Sequence, residues 1–228
     1  MTHAVHAGVR LNGLALLPIG LAVLGAWITL ALIPMSHGRT EFAVTWLAMT
    51  IAMMVPTVTR PMERAAAGSS LRAWKFLLGF VLLWVAAGLP AYALMTAITW
   101  TPSWIFFAWM VAGAYQLMPW TQAKLRDCRS VRFDGRPVAY GVRQGVRCVA
   151  SCGPVMIAIM VNAMTLPNVA LSLALLLAAT VVICWEKRTS TPTTVVLAVG
   201  LALVIAGTVG AVTLGGSSSS VHHSTSRS

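Results

Sequence analysis

Sulfur-bearing side chains recur at a fixed interval along one stretch of the chain. They are Cys148, Cys152, Met156, Met160 and Met164, each four residues after the one before. Residues four apart lie on the same face of an α-helix, and each such step drifts by only about 40° around the axis. Thiolates and thioethers are soft ligands that select Cu(I) over hard cations. The spacing therefore predicts a slowly winding ladder of soft-metal ligands along one helix.

Other parts of the chain carry further candidate sulfur ligands. Cys128 and Cys184 complete the set of four cysteines, and Met53 and Met54 precede Pro56. A row of weak thioether sites suits stepwise conduction, because each site must release the ion that it binds. The alternative is ordinary packing, since Met and free Cys also fill gaps in apolar cores. The spacing alone leaves both interpretations open.

The composition indicates which elements must position these side chains. Of the 228 residues, 58% are hydrophobic and 9% are charged, and the mean hydropathy is +0.81. Soluble domains carry about 25% charged residues. The chain is therefore predicted to be an all-α, polytopic bundle of transmembrane helices whose outer surface contacts the lipid bilayer.

Seven apolar stretches reach or approach the length of about 20 residues that a helix needs to cross a bilayer. They run from about Leu11 to Ile33, Phe42 to Val58, Ala73 to Ile98, Pro102 to Met118, Gly145 to Met164, Asn168 to Trp185 and Thr194 to Leu214. We expect them to form a single domain over residues 1–214, with a cytoplasmic loop at about residues 120–144. Residues 215–228 are rich in Gly, Ser and His and are predicted to form a disordered tail.

The chain has a net charge of +11, and its Lys and Arg residues concentrate in every second link between successive apolar stretches. The links after the second, fourth and sixth stretches carry most of them, and the other links carry almost none. Basic residues concentrate in the cytoplasmic loops of membrane proteins, so the pattern predicts a cytoplasmic N-terminus and an outside C-terminus. No basic stretch follows a nucleic-acid-reading motif, and we expect no nucleic-acid partner.

This topology places all four cysteines near the cytoplasmic end of the bundle. Cys148 and Cys152 lie in the first turns of the fifth stretch, Cys184 lies in the last turn of the sixth, and Cys128 lies in the loop. The reducing cytoplasm argues against structural disulfides, which leaves metal ligation or plain burial. Gln116 is polar within apolar surroundings, and we expect it to face a neighbouring helix.

Motifs of catalysis are missing from the sequence. It contains no nucleophile elbow, no Walker loop and no zincin helix, and no pair of histidines within the helices suits haem. We therefore expect a non-enzymatic function that uses no organic cofactor.

Several short motifs together resemble those of a bacterial family. They are Trp-Leu-Ala-Met at 46–49, Ala-Met-Met-Val-Pro at 52–56, Tyr-Gln-Leu-Met-Pro at 115–119, Cys-Arg-Ser at 128–130, Gly141 and Gly145 followed by Cys148 and Cys152, and Glu186-Lys187. In this order the motifs resemble the bacterial domain-of-unknown-function family 2182, described as predicted metal-binding integral membrane proteins. The resemblance implies metal binding by Cys128, Cys148 and Cys152. The family pattern has further cysteines at the positions of Lys124 and Ser151, where this chain departs from it.

Three hypotheses for the function follow. The first is a bacterial inner-membrane protein that binds, and transports or delivers, a soft transition metal such as Cu(I) through its Cys and Met side chains. The second is a non-catalytic scaffold or partner subunit of a larger membrane complex, whose small residues and Met mark a packing face. The third is a thiol redox enzyme, which would need cysteines on the oxidising side. A membrane-protein partner or a homo-oligomer is compatible with the first two.

Overall fold

A computed structural model describes residues 13–33, 38–121, 123–124, 133–165 and 169–188. Within these ranges the chain is helical and contains no β-strand, which confirms the predicted all-α fold. The α-helices are α1 (Gly13–Leu32), α2 (Arg39–Met49), α3 (Thr59–Ala66), α4 (Ser70–Ala97), α5 (Pro102–Leu117), α6 (Pro137–Thr165) and α7 (Val169–Arg188). The predicted helix at residues 194–214, the predicted tail and Cys128 lie outside the described residues.

Three helical segments are long and apolar enough to cross a membrane. They are the continuous segment Arg39–Ala66, which contains α2 and α3, and the single helices α4 and α6. Large apolar side chains such as Leu78, Leu82 and Leu89 are exposed on α4, as expected for a helix that contacts lipid. The predicted orientation, with the N-terminus in the cytoplasm, stays a prediction.

The segment Arg39–Ala66 changes its helical geometry in the middle. A π-helical turn (Thr50–Met54) and a 3-10 turn (Val55–Val58) lie between α2 and α3. Pro56 has no backbone N–H, so a regular α-helix would lose a hydrogen bond at this position. The Thr57 hydroxyl donates to the Met54 carbonyl at 2.7 Å and stabilises the altered turn. Both Met53 and Met54 are fully buried there.

Glycines bring the backbones of α4 and α6 into direct contact. A Cβ atom added to Gly141 would overlap the Phe76 carbonyl, and one added to Gly79 would overlap the Val138 carbonyl. A Cβ atom on Gly145 would lie 2.7 Å from the Leu83 side chain. Small residues spaced four apart allow this close approach of membrane helices. The contact fixes the helix that carries Cys148 and Cys152 against α4.

Helix α6 begins at Pro137 rather than near Gly145, where the apolar stretch begins. Proline is favourable in the first turn of a helix, because its missing N–H would have no helical partner there. Tyr140 and Gln144 are buried, since this first part of α6 also packs inside the protein. The last part of the predicted cytoplasmic loop is therefore helical.

An ion pair joins the start of α6 to the segment that precedes it. The Arg143 guanidinium contacts the Asp134 carboxylate, and the Arg136 backbone N–H donates to the same carboxylate at 3.3 Å. Desolvation raises the pKa of Asp134, but these two hydrogen bonds and the charge of Arg143 lower it by more. The resulting pKa lies below its ordinary value, so Asp134 stays ionised in mildly acidic solution.

Candidate metal centre

The predicted sulfur ladder of α6 faces the interior of the protein. Cys148, Cys152, Met156 and Met160 are between 0% and 4% exposed, and Met164 is half-buried. Four of the five side chains are therefore buried in the protein interior and do not lie on its exposed surface.

The π-helical turn meets this face at its first cysteine. Cys148 Sγ lies 3.8 Å from Met54 Sδ, and both residues are fully buried. The two sulfur atoms are therefore in direct contact, and Cys148 and Met54 are the residues that would hold a soft ion at this point.

Cys152 follows Cys148 by one helical turn, and a serine lies between them on the same buried side. The Ser151 hydroxyl donates to the Cys148 carbonyl at 3.1 Å and lies 3.5 Å from Cys152 Sγ. Side chains four apart on a helix have Cβ atoms about 5–6 Å apart, so Cys152 is within reach of an ion beside Cys148. The residue types did not identify Ser151 as part of the site. The signal that could have identified Ser151 is that the family pattern has a cysteine at this position.

Helix α5 contacts the turn of α6 that carries the two cysteines. Gln116 Nε2 donates to the Ser151 carbonyl at 3.1 Å, which confirms the prediction that Gln116 faces a neighbouring helix. The Tyr115 hydroxyl donates to the Ala150 carbonyl and lies within electrostatic range of the Cys152 thiol. Tyr115 was part of a recognised motif, but its role at this turn was not predicted.

Met53 and Cys184 belong to two other elements, the π-helical turn and α7. Met53 is buried beside Met54, and α7 packs against the π-helical and 3-10 turns. Cys184 lies on α7 and is half-buried.

The chemistry of the centre depends on sulfur. Among the residues that the structure describes, no three His, Cys, Asp or Glu side chains cluster, and Cys148, Cys152 and Cys184 form no disulfide. Glu41, Glu63 and Asp134, the acidic residues whose burial the structure describes, are not buried. An ion held in this part of the protein would therefore need thioether as well as thiolate ligands.

A comparison with protein families matches the chain to PpoB2, described as a copper chaperone, over residues 43–210. This range is more than half of the 228 residues and contains all of the predicted sulfur ligands. The match agrees with the metal-binding character that the sequence motifs imply. Searches of curated proteins and of solved structures gave no match.

Proposed function

Because the chain belongs to the PpoB2 family of copper chaperones, we propose that it is a membrane protein that binds Cu(I) through sulfur and delivers it to an acceptor. The family supports copper binding or delivery in general. The oxidation state, the ligands and the membrane location are our proposal. The observation that carries it is the 3.8 Å separation of Cys148 Sγ and Met54 Sδ within a buried, sulfur-lined interior.

The proposed binding site uses two cysteines and one methionine. Cys148 and Met54 would take adjacent positions around the ion, and Cys152 would provide the third sulfur from the next helical turn. Thiolate and thioether ligands favour soft Cu(I), whereas Mg²⁺ and Ca²⁺ need oxygen ligands. Cys128 and Cys184 would extend the site at the cytoplasmic end, where an incoming ion would first meet thiols.

A second group of sulfur atoms would form the route along which the ion leaves the site. Successive ladder positions on α6 rise by about 6 Å, the length of four residues of helix. Neutral thioethers hold an ion weakly enough for it to move on to the next position. The proposed route is formed by Met53, Met156, Met160 and Met164.

We place the protein in the inner membrane of a bacterium, where the lipid bilayer contacts its apolar outer surface. Three segments of sufficient length and hydropathy support this location. Delivery also requires an acceptor, which we expect to be a membrane-protein partner or a second copy of the chain. A scaffold subunit would need such a partner too, but it would bind no copper.

The experiment compares the copper content of matched variants. The wild-type protein, the Cys148→Ser/Cys152→Ser variant and an Ala158→Ser control are purified in detergent and loaded with Cu(I) under anaerobic, reducing conditions. Ala158 is a buried residue of the same helix, so its variant controls for a new buried hydroxyl. Mass spectrometry of the metal should find stoichiometric copper in the wild type and the control.

The double serine variant should lose this copper while its helical circular dichroism stays at the wild-type level. Equal copper in the double variant and the wild type would refute the proposed ligands. A wild-type protein that binds no Cu(I), but co-purifies with a fixed partner, would refute copper delivery and favour the scaffold hypothesis.

A further inference from the structure

Pro154 removes a backbone hydrogen bond from α6 close to the two cysteines. Proline lies inside this helix, and its nitrogen carries no hydrogen. In an uninterrupted helix, the N–H at position 154 would donate to the Ala150 carbonyl, four residues earlier. The proline ring also crowds that carbonyl. The Ala150 carbonyl, which lies between Cys148 and Cys152, therefore needs another donor.

Helix α5 provides that donor. The Tyr115 hydroxyl donates to the Ala150 carbonyl, and Gln116 Nε2 donates to the next carbonyl, that of Ser151, at 3.1 Å. Prolines are tolerated in membrane helices where a neighbouring helix satisfies the freed backbone groups. Tyr115 thus compensates for the bond that Pro154 removes, and Gln116 adds a second hydrogen bond from α5 to the same turn of α6.

The compensated turn is also the turn that presents the thiols. Ser151, whose carbonyl accepts from Gln116, contacts Cys152 Sγ through its hydroxyl at 3.5 Å. On the other side of the same turn, Cys148 Sγ lies 3.8 Å from Met54 Sδ. A shift of this turn would therefore change the separation of the sulfur atoms of α6 from the π-helical turn.

We infer that Tyr115 and Gln116 are positioning residues: Tyr115 replaces the hydrogen bond lost at Pro154, Gln116 holds the next carbonyl, and together they keep the cysteine-bearing turn at the distance from Met54 that Cu(I) requires. The inference rests on the proposed copper site, and neither residue is a ligand in it. The two residues act through the backbone of α6. The effect of Tyr115 should therefore depend on the proline.

The central experiment is a double-mutant cycle between Tyr115 and Pro154. Tyr115→Phe removes the hydroxyl but keeps the ring, and Pro154→Ala restores an N–H that can donate to the Ala150 carbonyl. Tyr92→Phe in α4 is the matched control, because the ring of Tyr92 is half-buried and packs on Phe42 at 5.0 Å. Gln116→Leu removes the second donor and serves as an independent variant if Tyr115→Phe folds poorly.

Two readouts are measured on each variant in detergent. One is the Cu(I) dissociation constant, from competition with a Cu(I) chelator. The other is the alkylation rate of Cys148 and Cys152 in the metal-free protein, resolved by fragment ions in mass spectrometry. The second readout reports the position of the turn without copper.

Loss of an outer-shell contact typically weakens metal binding by about 10–100-fold, and we expect Tyr115→Phe to fall in this range. The alkylation rates should rise in the same variant, and Gln116→Leu should change both readouts in the same direction. In the Pro154→Ala background, Tyr115→Phe should change the dissociation constant by about twofold at most, because the helix then satisfies the Ala150 carbonyl itself.

The inference is overturned if Tyr115→Phe behaves like Tyr92→Phe in both readouts. It is also overturned if Tyr115→Phe has the same effect with and without the proline, since Tyr115 would then act independently of the broken helical bond. Failure of the proposed function is a separate result: the wild type would bind no Cu(I), and the alkylation rates would still decide whether Tyr115 and Gln116 position the turn.

Discussion

Replacement of Met54 by leucine tests the sulfur pair on which the proposed copper site depends. The two side chains have similar volumes, but leucine has no sulfur. Met54 is fully buried, and its sulfur lies 3.8 Å from Cys148 Sγ. Met95→Leu is the matched control, because Met95 is equally buried but lies on α4, outside the proposed site. The prediction is that the first substitution weakens Cu(I) binding and the second does not.

The expected magnitudes separate the effect on stability from the effect on binding. A volume-conserving exchange of Met for Leu in a packed interior costs less than about 1.5 kcal/mol of folding free energy. Both variants should therefore remain folded, with similar midpoints of thermal unfolding. Loss of one of three sulfur ligands should raise the Cu(I) dissociation constant at least about tenfold in the Met54 variant, which corresponds to about 1.4 kcal/mol.

The assay is competition with a Cu(I) chelator, together with X-ray absorption at the copper edge. The X-ray absorption spectrum should show one sulfur ligand fewer around copper in Met54→Leu than in the wild type. The number of sulfur ligands should be unchanged in Met95→Leu. Equal affinities and equal sulfur counts in the two leucine variants would show that Met54 is a packing residue. The interpretation of the 3.8 Å contact would then be wrong.

Two further predictions concern the fold. Gly141→Ala should destabilise the protein by about 1–3 kcal/mol in thermal unfolding, because the new Cβ atom meets a backbone carbonyl of α4 that cannot turn away. Gly153→Ala should leave stability unchanged or raise it by up to about 1 kcal/mol, since its Cβ atom would make ordinary contacts. Equal losses of stability in Gly141→Ala and Gly153→Ala would contradict the packing argument. The ion pair of Asp134 and Arg143 should stabilise the start of α6 fully at a pH above the unfolded-state pKa of Asp134, about 3.9. This stabilisation should be lost as the pH falls through the lower folded-state pKa of Asp134. Unfolding midpoints measured against pH should show this acid step in the wild type, and its persistence in Asp134→Asn would refute the assignment.

The sequence was sufficient to predict the sulfur ladder on α6. The prediction required only that the segment be an α-helix, because side chains four apart then share a face. The structure shows that Cys148, Cys152, Met156 and Met160 are buried in the same helix. Their roles as ligands stay a prediction.

The contact between Met54 and Cys148 could not be predicted in this way. Spacing rules assume regular α geometry, whereas residues 50–58 pass through a π-helical and a 3-10 turn. Pro56 indicates that the helix is disturbed, but it does not indicate which residues the altered turns bury. The pairing also joins residues 94 positions apart, and without related sequences no local pattern reveals it.

The start of α6 and the role of Tyr115 were missed for different reasons. An apolar-length criterion does not detect the first turns of α6, because the polar residues Arg143 and Gln144 follow the few apolar residues there. The hydroxyl of Tyr115 has a role because Pro154 leaves a carbonyl on another helix without its usual donor. That relation depends on how two helices pack, which a single sequence does not specify.

The direct contact of the α4 and α6 backbones also affects how fast an ion could be exchanged. Few adjustable side-chain torsions separate the two helices at these glycines, so the thiols of α6 belong to a stiff unit. Residues 50–58 lack a continuous α-helical ladder and are the more deformable side. At the proposed site, we therefore expect the thioether side of the Met54–Cys148 pair to move more readily than the thiol side.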